Sequence, residues 1–263
     1  MSRRAWTSGG VRLRGLAACV VELRALEGGV HSGSHGIGAP DALTMLCRQL
    51  ATLHDEQGNV AVEGLATAVP PGAGPSEAEF RAEAGLLEGA QLLGSGSIAE
   101  RIWAKPAATV LAIDAPPVAT SAPTLTPVAR AKVGLRVAPG DDALKVRKAL
   151  ARHLRHHTPW GLQVTVVGGG RTAVRHRCVR PGIRCRTKGL RRGIRKRRCR
   201  HRFRRLHPLR RRVADAYPQA AILISSAGAD AGSRAHGADE SLHLADFERA
   251  CLAETLLLAE LTR

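Results

Sequence analysis

From Val11 to Leu26 the segment VRLRGLAACVVELRAL mixes apolar–polar alternation with β-branched residues, which predicts a long strand with one partly solvated face. A glycine-rich turn, GGVHSGSHGIGAP, follows it. Asp41 then stands as an N-cap before DALTMLCRQLATLHDE, where Leu43, Met45, Leu46, Leu50 and Leu53 recur at helical spacing, so this helix is expected to lay one face on a sheet. Val69 to Glu77, VPPGAGPSE, reads as a proline and glycine linker, and the stretch from there to Ser97 is weakly helical at best. Strand character returns in ATVLAIDA (Ala108 to Ala115) and ARAKVGLRVAP (Ala129 to Pro139). After the turn Gly140 to Asp142, ALKVRKALARHLRHH sets Leu144, Val146, Leu150 and Leu154 on one side and bases on the other, and GLQVTVVGGG supplies another strand.

The resulting order of strand, helix, strand, strand, helix, strand is the split βαβ pattern of a ferredoxin-like domain. The expected fold class is therefore α/β, in its mixed α+β form, with this domain over residues 12–167 after a short stub at 1–11. Further on, AAILISS (Ala220 to Ser226) is strand-like, GADAGSRAHGADES is a loop, and LADFERACLAETLLLAELT makes a closing amphipathic helix. A tail over 213–263 is too short to bury a core of its own, so Leu252, Leu256 and Leu258 are expected to be exposed.

Composition changes this picture in one place. Aromatic residues are only 3% of the 263, so the core must be built from Leu, Val, Ala and Ile. The formal charge of +18 suggests a phosphate-rich partner at face value. However, 20 of the 40 Lys and Arg fall between Arg171 and Arg212, a window with no Asp or Glu, and the other 221 residues are near neutral.

Three readings compete for that window. As an arginine-rich arm it would bind nucleic acid non-specifically through phosphates, with steep salt dependence, but Phe203 is its only aromatic and no RNA-binding module surrounds it. Its local composition, with Leu, Ile, Val and Phe at 8 of 42 positions and one-signed charge, suits a disordered insert. Translation out of frame accounts for the block itself, because in GC-rich DNA a one-base shift turns codons for Ala, Asp, Gly, Val and Glu into codons for Arg. Read in the shifted frame, RHRFRRLHPL from Arg200 to Leu209 can encode Asp-Ile-Gly-Ser-Gly-Gly-Ser-Ile-Pro-Phe. One base gained near Gly168 to Gly170 and one lost near Arg212 would produce the segment 168–212.

Cys19, Cys47, Cys178, Cys185, Cys199 and Cys251 show neither zinc-knuckle nor disulfide spacing, so a reducing cytoplasm is expected. The N-terminus lacks the apolar core of a signal peptide. No run of about 18 apolar residues occurs, so no membrane span is expected.

The stretch LRGLAACVVELRALEGGVHSGSHGIGAPDALTMLCRQLATLHDEQGNVAVEGL resembles the lid, or dimerisation, domain of dinuclear zinc peptidases, most of all the bacterial dipeptidase-type members. That family includes carnosinase-like dipeptidases, glutamate carboxypeptidase, acetylornithine deacetylase and succinyl-diaminopimelate desuccinylase. TPVARAKVGLRVAPGDDALKVRKALARHLRHHTPWGLQVTV resembles the second half of the lid, RAHGADESLHLADFERA the terminal metal-ligand loop and helix, and the hidden Gly-Gly-Ser-Ile-Pro the region between.

The resemblance implies two zinc ions sharing a water of lowered pKa, with a Glu as general base. It implies that His236 is the C-terminal zinc ligand. It also implies that His31, in VHSGSHG, is the lid histidine that reaches the partner subunit's active site and stabilises the oxyanion. His35 lies close enough to be confused with His31, and Asp239 and Glu240 read as loop and helix-start residues, suited to a helix N-terminus. Other zinc ligands and the general base belong, in the family, to a catalytic segment upstream of the lid. One histidine does not make a site that needs about three protein ligands per zinc.

The expectation is thus a zinc-dependent dipeptidase or amide hydrolase by ancestry, acting on a small peptide or N-acyl amino acid. It would dimerise through its lid, and the chain as it stands would be an inactive fragment. The alternatives are a polyanion-binding protein working through Arg171 to Arg212, or a lid-only dimerisation module.

Overall fold

The computed structural model describes residues 14–70, 72–171, 216 and 239–261. Strand β1 (Leu16–Arg24) pairs antiparallel with β5 (Val128–Arg136) on one side and with β6 (Gln163–Arg171) on the other. Strand β3 (Ala107–Asp114) closes the far edge, giving the order β3-β5-β1-β6. Every neighbouring pair is antiparallel. This is the ferredoxin-like arrangement expected from the order of elements.

Alternation decides which face is covered. Ala17, Cys19, Val21 and Leu23 of β1 and Ala129, Ala131, Val133 and Leu135 of β5 are buried, while their neighbours Glu22 and Arg130 form an ion pair at 2.6 Å on the open face. Helices α2 (Ala42–Ala51) and α4 (Ala143–His156) pack on the buried face and complete the core with Leu46, Leu50, Val146, Leu150 and Leu154. Each such Leu removed from water contributes about 1.5–3 kcal/mol.

Asp41 caps α2 as expected, accepting from Thr44 N, and Asp142 caps α4, accepting from the amides of Leu144 and Lys145. The apolar side expected for α4 needs one correction. Leu144 is 49% exposed, and the covered stripe is instead Ala143, Val146, Ala149, Leu150, His153 and Leu154.

Between α2 and β3 runs a long crossover. It holds α3 (Glu77–Ala84), a firmer helix than its composition promised, because Ser76 and Glu79 form a reciprocal capping box and Gly85 ends it at φ 64°. A π-helical turn, Glu100–Ala104, buries Trp103 and Ala104. Its carbonyls are tied to the start of β1 by the buried Arg14 guanidinium, which donates to Ile102 O at 2.9 Å and to Lys105 O. A bulge in β3 between Val110 and Ala112 lets Leu111 lie where a side chain at Gly134 would otherwise project.

Helix α5 (Leu244–Leu261) buries Asp246, Ala253 and Leu257, and Asp246 pairs with Arg249 at 2.8 Å. Leu252 and Leu258 are exposed as expected, whereas Leu256 is half-buried. The strand expected at Ala220 to Ser226 and the arginine-rich window beyond Arg171 lie outside the described residues. Among the described residues, no helix is long and apolar enough to cross a membrane.

Candidate functional site

His31 sits at the end of β2 (Val30–His31), which pairs with β4 (Thr124–Leu125) in a two-stranded ribbon beside the main sheet. Two residues per strand carry no alternation, so this ribbon was not among the expected elements. Gly29 allows the close approach, since a Cβ there would lie 2.8 Å from Thr124 Cγ2. Ser32 N then donates to Pro123 O at 2.9 Å, and the chain turns into α1 (Ser32–His35).

The exposed His31 side chain caps that turn, its Nδ1 accepting from Gly33 N at 3.0 Å. An accepting Nδ1 carries no proton, so the neutral ring holds its hydrogen on Nε2. Gly33 is part of the arrangement, because a Cβ would stand 2.8 Å from His31 Cε1. His35 is distinguished by its bonding: its Nδ1 lies 3.4 Å from the His31 carbonyl. Downstream, Ile37 is fully exposed at φ 68°, a conformation that β-branched residues avoid.

Asp41 fixes where this loop ends. One carboxylate oxygen accepts from Thr44 N and Thr44 Oγ1, both at 2.7 Å, and the other from Thr126 N at 2.5 Å. Partial burial pushes the carboxyl up, but the hydrogen bonds from Thr44 and Thr126 outweigh it and hold Asp41 below the ordinary carboxylate range.

The second expected site residue, His236, lies outside the described residues. Asp239 and Glu240 lie in the segment before α5. Among the described residues, no group of three or more His, Cys, Asp or Glu could hold a metal ion. The described residues by themselves therefore do not fit a zinc centre.

A cluster that the sequence reading passed over lies where α2 and α4 meet. His153 is buried, and its Nε2 donates to Thr52 Oγ1 at 3.0 Å. Its ring stacks on that of His157 with centroids 4.0 Å apart, and His156 meets His157 edge-on at 5.0 Å. Burial and the neighbouring His157 hold His153 below the ordinary imidazole range. The i, i+3, i+4 spacing of these three histidines was the available signal.

A four-stranded antiparallel sheet covered on one face by two helices defines the fold, and comparison agrees: residues 11–162 match the peptidase dimerisation domain. The chain belongs to the metallopeptidase family that carries this domain. A cysteinylglycine-S-conjugate dipeptidase from Corynebacterium striatum is 38% identical over 157 residues, covering 59% of this chain and 34% of that protein.

Among solved structures, the dipeptidase Dug1p from Saccharomyces cerevisiae superposes with a TM-score of 0.81 at 15% identity, over 97% of this chain and 56% of that one. Human carnosine dipeptidase 1 gives 0.77 at 16% identity, over 98% and 58%. A metallo-carboxypeptidase from Sulfolobus solfataricus gives 0.69 at 18% identity, over 96% and 60%. At these identities the structures establish the fold. The chain matches about a third of its curated relative and just over half of each solved structure.

Proposed function

We propose that this chain is the lid and dimerisation portion of a dipeptidase-type zinc peptidase or amide hydrolase, with a small peptide or N-acyl amino acid as substrate. In this reading residues 12–167 form the lid, 213–263 belong to a catalytic domain, and 168–212 is translated out of frame. The observation that carries it is the state of His31. Its proton is held on the exposed Nε2 by the Gly33 amide, which leaves an imidazole N–H able to donate to a developing oxyanion.

The lid pairs with a second copy, and each His31 serves the partner's reaction centre. In this reading His236 supplies one of the about three protein ligands that a catalytic zinc needs, and the chain alone is inactive. When bound, the metal pair would supply the activated water. The names of the relatives support dipeptide chemistry, and the dimerisation domain supports the pairing.

The test has two arms. Light scattering on the purified chain should give a dimer that does not hydrolyse dipeptides in the presence of zinc. A protein with the window's frame restored and the family's catalytic segment joined upstream should bind zinc and cleave dipeptides, and His31→Ala in it should lower kcat. A restored protein that binds no zinc, or a strictly monomeric chain, would overturn the reading.

A further inference from the structure

At the opposite end of α2 from the His31 loop is a cavity of about 390 Å3, lined by Arg48, Gln49, Thr52, His156, His157 and Trp160. Its rim is strained. Pro159 to Leu162 form a type I′ turn, closed by Leu162 N donating to Pro159 O at 3.3 Å, with Trp160 at φ 47°, ψ 32° and Gly161 at φ 64°. Such turns take Asn, Asp or Gly at both central positions. A bulky aromatic in the left-handed region is an outlier of the kind that gathers at binding sites. Burial does not compensate it, since Trp160 is 68% exposed. What the strain achieves is to hold the indole ring 5.1 Å from Arg48 Cζ.

The polar groups around the cavity are arranged for a ligand with both an anionic group and an N–H. Arg48 has no acceptor among the described residues, and none of the lining residues is acidic. His157 Nδ1 donates to the His153 carbonyl at 2.9 Å. Gln49 is 1% exposed; its Nε2 donates to Leu154 O at 2.6 Å and Thr158 Oγ1 at 3.2 Å, but its Oε1 has no donor. A buried amide oxygen left unpaired is uncommon enough to need a partner.

We infer that this cavity binds an amino acid or N-acyl amino acid. Arg48 takes the carboxylate, Gln49 Oε1 accepts the ligand N–H, and Trp160 covers the ligand side chain. The inference rests on this geometry and not on the proposed hydrolysis.

The experiment uses the full chain with N-acetyl-leucine as probe, and leucinamide, acetate and inorganic phosphate as comparisons. Binding is read by calorimetry and by tryptophan fluorescence, with Trp160→Phe separating Trp160 from Trp6 and Trp103. N-acetyl-leucine is expected to bind saturably and leucinamide not at all. Arg48→Met, which keeps the side-chain stem, should weaken binding at least about tenfold by removing the charge-assisted contact. Trp160→Asn, which suits the turn, should stay folded by circular dichroism and bind more weakly. Unaltered affinity in Arg48→Met, phosphate binding as tight as N-acetyl-leucine, or no binding by the folded wild type would each overturn the assignment.

Discussion

Replacing Asp41 by Ala removes three accepted hydrogen bonds at the junction where the His31 loop enters α2. Loss of an N-cap costs about 1 kcal/mol, within a range of about 0.5–2. The Thr126 amide, partly buried, loses its acceptor as well, at about 1–3 kcal/mol. Together the substitution should destabilise the chain by about 2–4 kcal/mol at neutral pH. Asp41→Asn keeps one acceptor oxygen and should cost roughly half as much.

The effect has a pH signature. The folded carboxyl lies below its unfolded value, so its contribution is complete above the unfolded pKa of about 3.9 and is lost as pH falls through the lower folded value. Urea unfolding followed by far-ultraviolet circular dichroism, on wild type and both variants at neutral and acid pH, measures this. An Ala variant within about 0.5 kcal/mol of wild type at neutral pH, or a difference that persists undiminished well below pH 3.9, would refute the reasoning.

Ile37→Gly should leave the chain as stable or raise its stability by up to about 1 kcal/mol, because the left-handed φ of 68° costs a β-branched residue and the side chain is wholly exposed; urea midpoints decide it. Gly33→Ala should push the His31 ring off the Gly33 amide, and nitrogen chemical shifts of His31 should then show Nδ1 gaining proton occupancy relative to wild type. His153 titrates below its unfolded value of about 6.5, so the unfolded chain binds the extra proton and stability falls as pH drops below that value. His156, His157 and Glu63 act on the same ring, so the measurement is the difference in midpoint between wild type and His153→Gln from pH 7.5 to 5, which should narrow on acidification.

The main sheet and both covering helices were legible because β1, β5 and α2 place large aliphatic residues at the period of their element. Helix α4 was legible as a helix but not in its contact stripe: two alanines and His153 occupy covered positions, and hydrophobicity undervalues all three, while Leu144 points outward. The β2–β4 ribbon and the π-helical turn are set by tertiary contacts such as Arg14 on the Ile102 carbonyl, which leave no periodic trace. His31 was picked out by the residues around it, yet its protonation state depends on a single backbone amide. The Arg48–Trp160 contact was invisible because the two residues are far apart in the chain and Trp160 sits in a turn whose usual residues are small or polar.

The sheet order also sets a timetable for synthesis. Strand β1 lies at the centre, yet its neighbours begin only at Val128 and Gln163, more than a hundred residues downstream. At about 5–20 residues per second, the ribosome leaves the central strand without either neighbour for roughly 5–20 s. Throughout that interval the nascent chain carries two bare edges on its central strand, and neither α2 nor α3 can cover them by hydrogen bonding. Chains released before β5 and β6 emerge would therefore be the aggregating species, and protection of the nascent chain over this interval is what the native sheet order demands.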